Sequence, residues 1–330
     1  MLNLSISEEC YHQHPLTPRF ELARYGEPYL SIATALLDFP LVYLDLTIND
    51  AFLQMGGADS HWFHSSFPSL NTLRLHFEQL DPRSHAAAAR ILHTFLKSSP
   101  AIHTLTLSTR PKNSSRETSP KPAESLLELA TTGKNQLPRG APALRTITIK
   151  ENDYTITPTL ALALNTLALK ELFFRALFPS YLTPVSEKFW LTLAKRIPAP
   201  LTLTALGCPR LTPGVIDFLC SFSGLESLDF DMKFYPSISS DSGPDIRLLK
   251  EPSEDGLKLI DTFFNEVLPA HGTSLKVLEL CGYLVSSLPP WHLTTEHLER
   301  IRECSSLQKL RVPIQYPGPD LVCFLLIFSS

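Results

Sequence analysis

The sequence has little excess charge of either sign and no basic leader. It holds 29 Lys and Arg against 33 Asp and Glu, a formal net charge of -4. Without a basic excess the chain is not expected to follow the phosphates of a nucleic acid, so no nucleic-acid partner is predicted. Met1 to Tyr11 contain two glutamates and no Lys or Arg, which differs from the basic front of a secretory signal, so export is not expected.

Cysteines and long hydrophobic runs are also scarce. The six cysteines have no paired spacing of the metal-binding type and are too few for a disulfide-dependent fold, which favours reduced thiols in a cytoplasmic or nuclear protein. The apolar run Leu321 to Phe328 falls well short of the ~20 residues that a membrane-spanning helix needs. We interpret it as a final buried strand or a capping segment, with a truncated C-terminus as the alternative, and predict no membrane contact.

Motifs of enzymatic sites are missing. The 13 glycines are dispersed, and no nucleophile elbow, phosphate-binding loop or dinucleotide fingerprint occurs. His12 with His14, and His61 with His64, have the spacing of metal-ligand pairs but lack a cysteine or carboxylate partner nearby. The sequence therefore predicts a protein that is not an enzyme, with no catalytic residues, no cofactor and no metal.

The feature that the sequence does contain is a repeated cassette, apolar-x-x-apolar-x-apolar, which returns nine times between Leu41 and Val312. Intervals between its copies range from 25 to 50 residues. Such periods indicate a solenoid, and the apolar pattern is that of leucine-rich repeats. The central positions of the nine copies are Leu44, Leu73, Leu105, Ile147, Leu172, Leu203 (a degenerate copy that includes Ala205), Leu228, Leu278 and Leu310.

Each cassette predicts a short strand whose paired apolar residues face one side. Leu44 and Leu46 are expected to point inward and Asp45 outward, because side chains alternate along a strand. Segments between the cassettes carry helical spacing, as in Ala87, Ile91 and Phe95. The predicted fold is an α/β leucine-rich repeat solenoid, a right-handed horseshoe with a parallel sheet on the concave face and helices on the convex face.

Prolines stand just before several predicted strands, at Pro40, Pro68, Pro100 and Pro142. Because proline lacks the amide donor that continues a helix and favours an extended residue before it, each is expected to end a helix and begin a turn into the strand.

The predicted domain organisation has three parts. Residues 1–40 form an N-terminal helical cap, with one helix from Phe20 to Leu37; residues 41–313 hold about nine repeats of irregular length; residues 314–330 form a C-terminal cap or a truncated end.

Two inserts, residues 108–124 and 231–256, interrupt the repeats. The first has the composition of an exposed loop, and its Ser119 is a candidate phosphorylation site for a proline-directed kinase, with a simple solvated loop as the alternative.

Two segments resemble a known family. Phe67 to Leu75, FPSLNTLRL, resembles a strand of the ribonuclease-inhibitor-like leucine-rich repeat proteins, and Cys208 to Val215, CPRLTPGV, resembles their cysteine-containing repeat. The chain is similar in particular to the repeat region of F-box proteins, including many fungal members. That resemblance implies the substrate-recognition part of an F-box-type (SCF) ubiquitin ligase, with a cullin adaptor as partner.

The helical F-box module itself is not found in residues 1–40. Three alternatives therefore stay open: a fragment of a longer product, a relative that has lost the box, and an unrelated repeat protein.

The outward positions of the cassettes predict a binding surface for a protein ligand. Phe173 beside Arg175 has the composition of an interface anchor, unless a loop covers the phenyl ring. Asp229, Asp231 and Glu279 indicate either an acidic patch that would favour a basic partner or simply a solvated acidic face. The concave surface is predicted to comprise Asp45, Arg74, His76, Thr106, Thr148, Phe173, Arg175, Thr204, Asp229, Asp231, Glu279 and Arg311.

These observations together predict a non-enzymatic protein-protein interaction module. One alternative is a leucine-rich regulator of a GTPase or another enzyme that supplies an arginine, for which Arg74 and Arg24 are the early candidates. Two others are a scaffold unrelated to ubiquitin and a degenerate gene product that has retained no partner.

Overall fold

The chain divides into two compact units, Met1–Ala168 and Leu169–Ser330. The computed structural model describes residues 19–22, 41–54, 67–111, 123–131, 144–151, 154–164, 167–175, 185–195, 203–208, 211–231, 254–281, 293–315 and 321–327.

The first unit alternates strands with helices. A single 3₁₀ turn, Pro82–Ser84, precedes its longest helix. The strands are β1 (Arg19–Leu22), β2 (Tyr43–Asn49), β3 (Thr72–Leu80), β4 (Thr104–Pro111), β5 (Ala123–Glu124), β6 (Thr146–Glu151) and β7 (Tyr154–Thr155). The helices are α1 (Asp50–Gln54), α2 (His85–Ser98), α3 (Leu126–Thr131) and α4 (Pro158–Leu164).

Strands β1, β2, β3, β4 and β6 lie side by side in that order, and every neighbouring pair is parallel. The central cassette residues Leu44, Leu73, Leu105 and Ile147 are register partners and are fully buried. Helix α2 buries the apolar face that its spacing predicts, and the ring of its Phe95 stacks on Phe67 with centroids 5.9 Å apart. Strands β5 and β7 form a separate parallel pair.

The second unit repeats the alternation of strands and helices. Between its helices α7 and α8 lies one π-helical turn, Phe263–Val267. The strands are β8 (Glu171–Phe174), β9 (Ala205–Cys208), β10 (Ser227–Asp231), β11 (Val277–Cys281), β12 (Lys309–Gln315) and β13 (Leu321–Ile327). The helices are α5 (Glu187–Ala194), α6 (Pro213–Cys220), α7 (Glu254–Thr262), α8 (Leu268–His271) and α9 (Thr295–Glu303).

Strands β8 to β12 lie in chain order and are parallel, while β13 pairs with β12 in the antiparallel sense. Aromatic rings join the helices to the buried face of these strands. Phe174 on β8 contacts Phe189 and Trp190 of α5 edge to face, at centroid distances of 5.6 and 5.7 Å. Phe230 on β10 contacts Phe263 of the π turn in the same geometry, 5.4 Å away. The core therefore lies between the strands and the helices.

One backbone motif recurs at the start of the strands. The carbonyl of Val42 accepts hydrogen bonds from the amides of Asn71 and Thr72, at 2.9 and 3.1 Å. Although the intervening segments differ in length, the same paired bonds recur at the starts of β4, β6, β9, β10, β11 and β12. The further acceptors are the carbonyls of Asn71, His103, Lys170, Thr204, Glu226 and Lys276.

The expected turns before the strands are present where the structure describes them. Pro68 and Pro100 lie in turns closed by the amides of Leu70 and Ile102, which donate to the carbonyls of Phe67 and Ser99. Pro40 and Pro142 lie outside the described residues.

The α/β class and the parallel order of the cassette strands confirm the coarse prediction of fold. Four details differ from the sequence-based expectation. The predicted helix does not begin at Phe20, because Arg19–Leu22 is a strand that pairs with β2. Residues 23–40 lie outside the residues that the structure describes. The first insert begins later than residue 108, since β4 continues to Pro111.

The other two differences concern the ends of the inserts. Residues 123–124, placed in the first insert, form β5, and the second insert ends earlier than predicted because α7 begins at Glu254. The expected final strand near the C-terminus is present as Leu321–Ile327.

Candidate functional site

In the first unit, the predicted outward residues occupy registered positions on neighbouring strands. Asp45 on β2 pairs with Arg74 on β3, which pairs with Thr106 on β4 and then with Thr148 on β6. These side chains face away from the core because they alternate with the buried cassette residues. His76 lies in the next row along β3, opposite Thr47 and Ser108.

A carboxylate organises one end of this face. The hydroxyl of Tyr43 donates to Oδ2 of Asp45 at 3.3 Å, and Nε2 of His76 lies 3.2 Å from Oδ1. The guanidinium of Arg74 lies over the Tyr43 ring, 5.3 Å from its centroid. Asp45 is buried beneath this group, whereas Arg74 is exposed, so the arginine is the member that a ligand meets first.

The threonines of the face contribute less accessible surface. Thr106 is buried together with Thr47 and Ser108 from the adjacent row, and Thr148 is half-buried. An outward position on these parallel strands is therefore not the same as an exposed position.

In the second unit, the corresponding row runs through Phe173, Gly207, Asp229 and Glu279 to Arg311. Phe173 is partly exposed, and its ring extends over the neighbouring strand. A Cβ atom placed on Gly207 would lie 2.5 Å from Cδ1 of that ring. Because Gly207 has no side chain, the phenyl ring of Phe173 can occupy this space.

Arg175 completes this arrangement just beyond the end of β8. Its guanidinium lies 5.4 Å from the Phe173 ring centroid, a cation–π distance. Its Nη2 donates to Oδ2 of Asp229 on β10 at 2.9 Å. Phe173, Arg175 and Asp229 therefore form one contacting group.

A second ion cluster lies on β11 and β12. The ammonium of Lys309 donates to Oε1 of Glu279, and Nη1 of Arg311 lies 3.9 Å from Oε2 of the same carboxylate. The predicted acidic residues Asp229 and Glu279 thus each lie beside a cation rather than forming an uncovered acidic patch.

Thr204 does not occupy the row to which the sequence assigned it. Leu206, not Leu203, is the register partner of Leu172 and Leu228, so the outward residue of β9 is Gly207. Thr204 lies just before the strand, where its hydroxyl donates to the carbonyl of Lys170 at 3.3 Å. This correction follows from reading Cys208 as an apolar cassette residue, since it is fully buried.

The predicted binding surface did not include three residues that lie on these faces: Tyr43, Gly207 and Lys309. Tyr43 and Lys309 stand two positions before Asp45 and Arg311 and so share their side of the strand. Extending the alternation by one step would have found both.

Asp231 ends β10, with its backbone in register with Cys281. Ser119 and Arg24 lie outside the described residues.

The described thiols do not have the environment of a nucleophile. Burial raises the pKa of Cys208 well above its ordinary value, with a smaller contribution from Asp229. Burial also raises the pKa of Cys304 to about 11, aided by Glu303. The pKa of Cys220 is raised by partial burial and by Glu266 and Asp217. A catalytic thiol requires a shift in the opposite direction.

Among the described residues, no cluster of three or more His, Cys, Asp or Glu side chains is placed to hold a metal ion. None of the helices in the described ranges combines the length and apolar character needed to cross a bilayer.

No protein-family model matches the chain, and no curated protein is significantly similar to it.

Proposed function

We propose that this chain is a non-enzymatic protein-interaction module built from leucine-rich repeats, which binds a protein ligand on the polar face of its sheet. The repeats of each unit form a solenoid with that face concave. The observation that carries the proposal is the row of varied polar side chains on strands whose opposite face is uniformly apolar and buried.

A binding scaffold requires one face that packs in the core and another face whose side chains can vary. The core face has leucine, isoleucine or phenylalanine at most equivalent positions, with Cys208 and Val312 at two others, whereas the outward row changes from Phe173 to Asp229, Glu279 and Arg311. A fixed backbone therefore presents a particular pattern of charge and shape. Repeat proteins use extended surfaces of this kind for recognition.

The structure around Arg175 and Arg311 favours the second unit as the main contact. Both arginines are accessible, and both lie beside a carboxylate that fixes their position. Arginines held in this way lose less conformational freedom when they bind, which favours them as contact residues.

The resemblance to F-box proteins adds a narrower proposal, in which the ligand is a substrate that the module delivers to a cullin ubiquitin ligase in the cytoplasm or nucleus. Because no F-box sequence is found in residues 1–40, recovery of the adaptor is the observation that decides this narrower proposal.

The test is affinity capture of the tagged chain from its own cells, followed by mass spectrometry. The double variant Arg175→Glu with Arg311→Glu is compared with a control of equal charge change, Lys188→Glu with Arg302→Glu, whose residues are exposed on helices α5 and α9. Partners lost with the first variant and kept with the control support binding on the polar face. Equal recovery with both would reject it.

The same capture decides the narrower proposal. Recovery of a cullin adaptor supports the ubiquitin-ligase role, and its consistent absence among specific partners removes that role while leaving the interaction module in place.

A further inference from the structure

In both ion clusters of the second unit, the cations are more exposed to solvent than the carboxylates that they contact. In the pair Arg175 and Asp229, 42% of the arginine side chain is exposed but only 13% of the aspartate. In the other cluster, Lys309 and Arg311 are 41% and 39% exposed, while Glu279 is 18% exposed. The carboxylates thus lie at the base of the face, and the cations lie above them toward solvent.

This order determines which charges a ligand can reach. A basic side chain would reach Asp229 only by displacing Arg175, and Glu279 only by displacing Lys309 and Arg311. A carboxylate from the ligand can approach the cations while both internal pairs remain. A guanidinium has five N–H donors and an ammonium three, so one internal bond leaves donors for a second acceptor.

We infer that the polar face of the second unit binds an acidic segment of a protein, with one carboxylate at Arg175 and another at Lys309 and Arg311. This inference rests on the proposed function and specifies the chemistry of the partner. It reverses the sequence-based expectation of a basic partner, because that expectation counted carboxylates without knowing which charges lie outermost.

The sheet also sets the spacing of the two carboxylates. The guanidinium of Arg175 reaches across β9 to Asp229 on β10, and the other cations lie beside Glu279 on β11, the register partner of Asp229. Because neighbouring strands are about 4.7–4.9 Å apart, the two cationic sites are roughly 5–10 Å apart. An extended peptide advances about 3.3 Å per residue, so the acidic positions are expected about two residues apart, on one side of the peptide.

The experiment uses fluorescein-labelled twelve-residue peptides of Gly, Ser and Thr that carry two glutamates two, five or eight residues apart. Fluorescence anisotropy with the full chain measures binding at low salt. We expect the two-residue spacing to bind best, and Arg175→Gln or Arg311→Gln to weaken it about two- to fivefold, the range of exposed ion pairs. Lys188→Gln on α5 is the matched control and should leave binding unchanged.

The variant Asp229→Asn tests whether the face prefers an acidic or a basic ligand. It keeps an acceptor for Arg175 but removes a negative charge, so it should strengthen binding of the acidic peptide. Thermal unfolding of every variant confirms that the fold is retained.

Several results would overturn the inference. They are tighter binding of the corresponding lysine peptide with loss on Asp229→Asn, no binding of either peptide at millimolar concentration, or insensitivity to Arg175→Gln and Arg311→Gln. A twelve-residue oligothymidylate that binds more tightly through the same arginines would reassign the cations to a phosphate backbone. If cellular capture still depends on these arginines, only the acidic chemistry fails; if it does not, the proposed function fails as well.

Discussion

The phenyl ring of Phe173 on β8 lies over the backbone of Gly207 on β9, so close that a methyl group on the glycine would meet Cδ1 of the ring at 2.5 Å. The glycine is therefore required by the aromatic side chain beside it rather than by its own backbone conformation. This fit places the ring where Arg175 can stack on it and still bind Asp229.

Replacement of Gly207 by alanine tests this relationship. We expect Gly207→Ala to lower the free energy of unfolding by about 1–3 kcal/mol, because the added methyl group overpacks the site. In a Phe173→Ala background the same change should cost much less, since the ring no longer occupies the space. Chemical denaturation of the four proteins in a double-mutant cycle measures the coupling, and additive effects would show that the two residues do not share this space.

The sequence pattern predicts which cassette residues are register partners in most strands but not in β9. In the cassettes around Leu44, Leu73, Leu228 and Leu278 the predicted central residues are register partners, because long runs of apolar alternation leave no other frame. Around β9 the pattern is ambiguous, since Leu203 starts a frame through Ala205 and another through Leu206.

The register of β9 can be tested by comparing Leu206 with Thr204. Leu206 is fully buried, so Leu206→Ala should cost about 2–5 kcal/mol as a large-to-small core change. Thr204→Ala removes only one hydrogen bond at an exposed position and should cost about 0.5 kcal/mol or less. Equal costs in urea unfolding would contradict the register.

The first unit offers the same contrast between core and polar face. Leu73 and Leu105 are fully buried, and alanine at either position should cost about 2–5 kcal/mol. Arg74→Ala should cost at most about 1 kcal/mol, the scale of an exposed cation–π contact with Tyr43. Thermal unfolding curves compare the three variants, and a large shift with Arg74→Ala would mean that the arginine supports the fold.

The contacts of the polar face were less predictable than the strands. Sequence alternation identifies that Arg175, Asp229 and Glu279 point outward, but the pairing of long side chains depends on distances across one or two strands. Which member of a pair is exposed depends further on the height of each side chain above the sheet. Neither quantity is local in sequence, so the sign of the partner's charge could not be predicted from composition.

His271 is a second feature that the repeat pattern does not reveal. Its ring is buried at the end of α8, where Nε2 donates to the carbonyl of Leu219 at 3.0 Å and Nδ1 accepts from the amide of Leu225 at 3.3 Å. Both bonds require the neutral imidazole with its proton on Nε2, since a protonated ring has no acceptor. Burial lowers the pKa of His271, although the bond to Leu219 partly opposes the shift.

These bonds predict that the protein loses stability in mild acid. A folded-state pKa below the unfolded value of 6.5 means that the unfolded chain takes up the proton more readily. The contribution of His271 is therefore complete above pH 6.5 and is lost as the pH falls from there toward the folded-state pKa, at no more than about 1.4 kcal/mol per pH unit. Urea unfolding between pH 7.5 and 5 measures this loss.

Two variants separate the contribution of His271 from that of His85, whose pKa burial also lowers against the opposing charges of Asp81 and Asp50. His271→Gln keeps one donor and one acceptor but does not titrate, so its free energy of unfolding should fall less steeply with acid than that of the wild type. His85→Gln should remove only its own share, and the double variant should combine both reductions. Parallel curves for His271→Gln and the wild type would show that protonation of the buried ring does not limit stability.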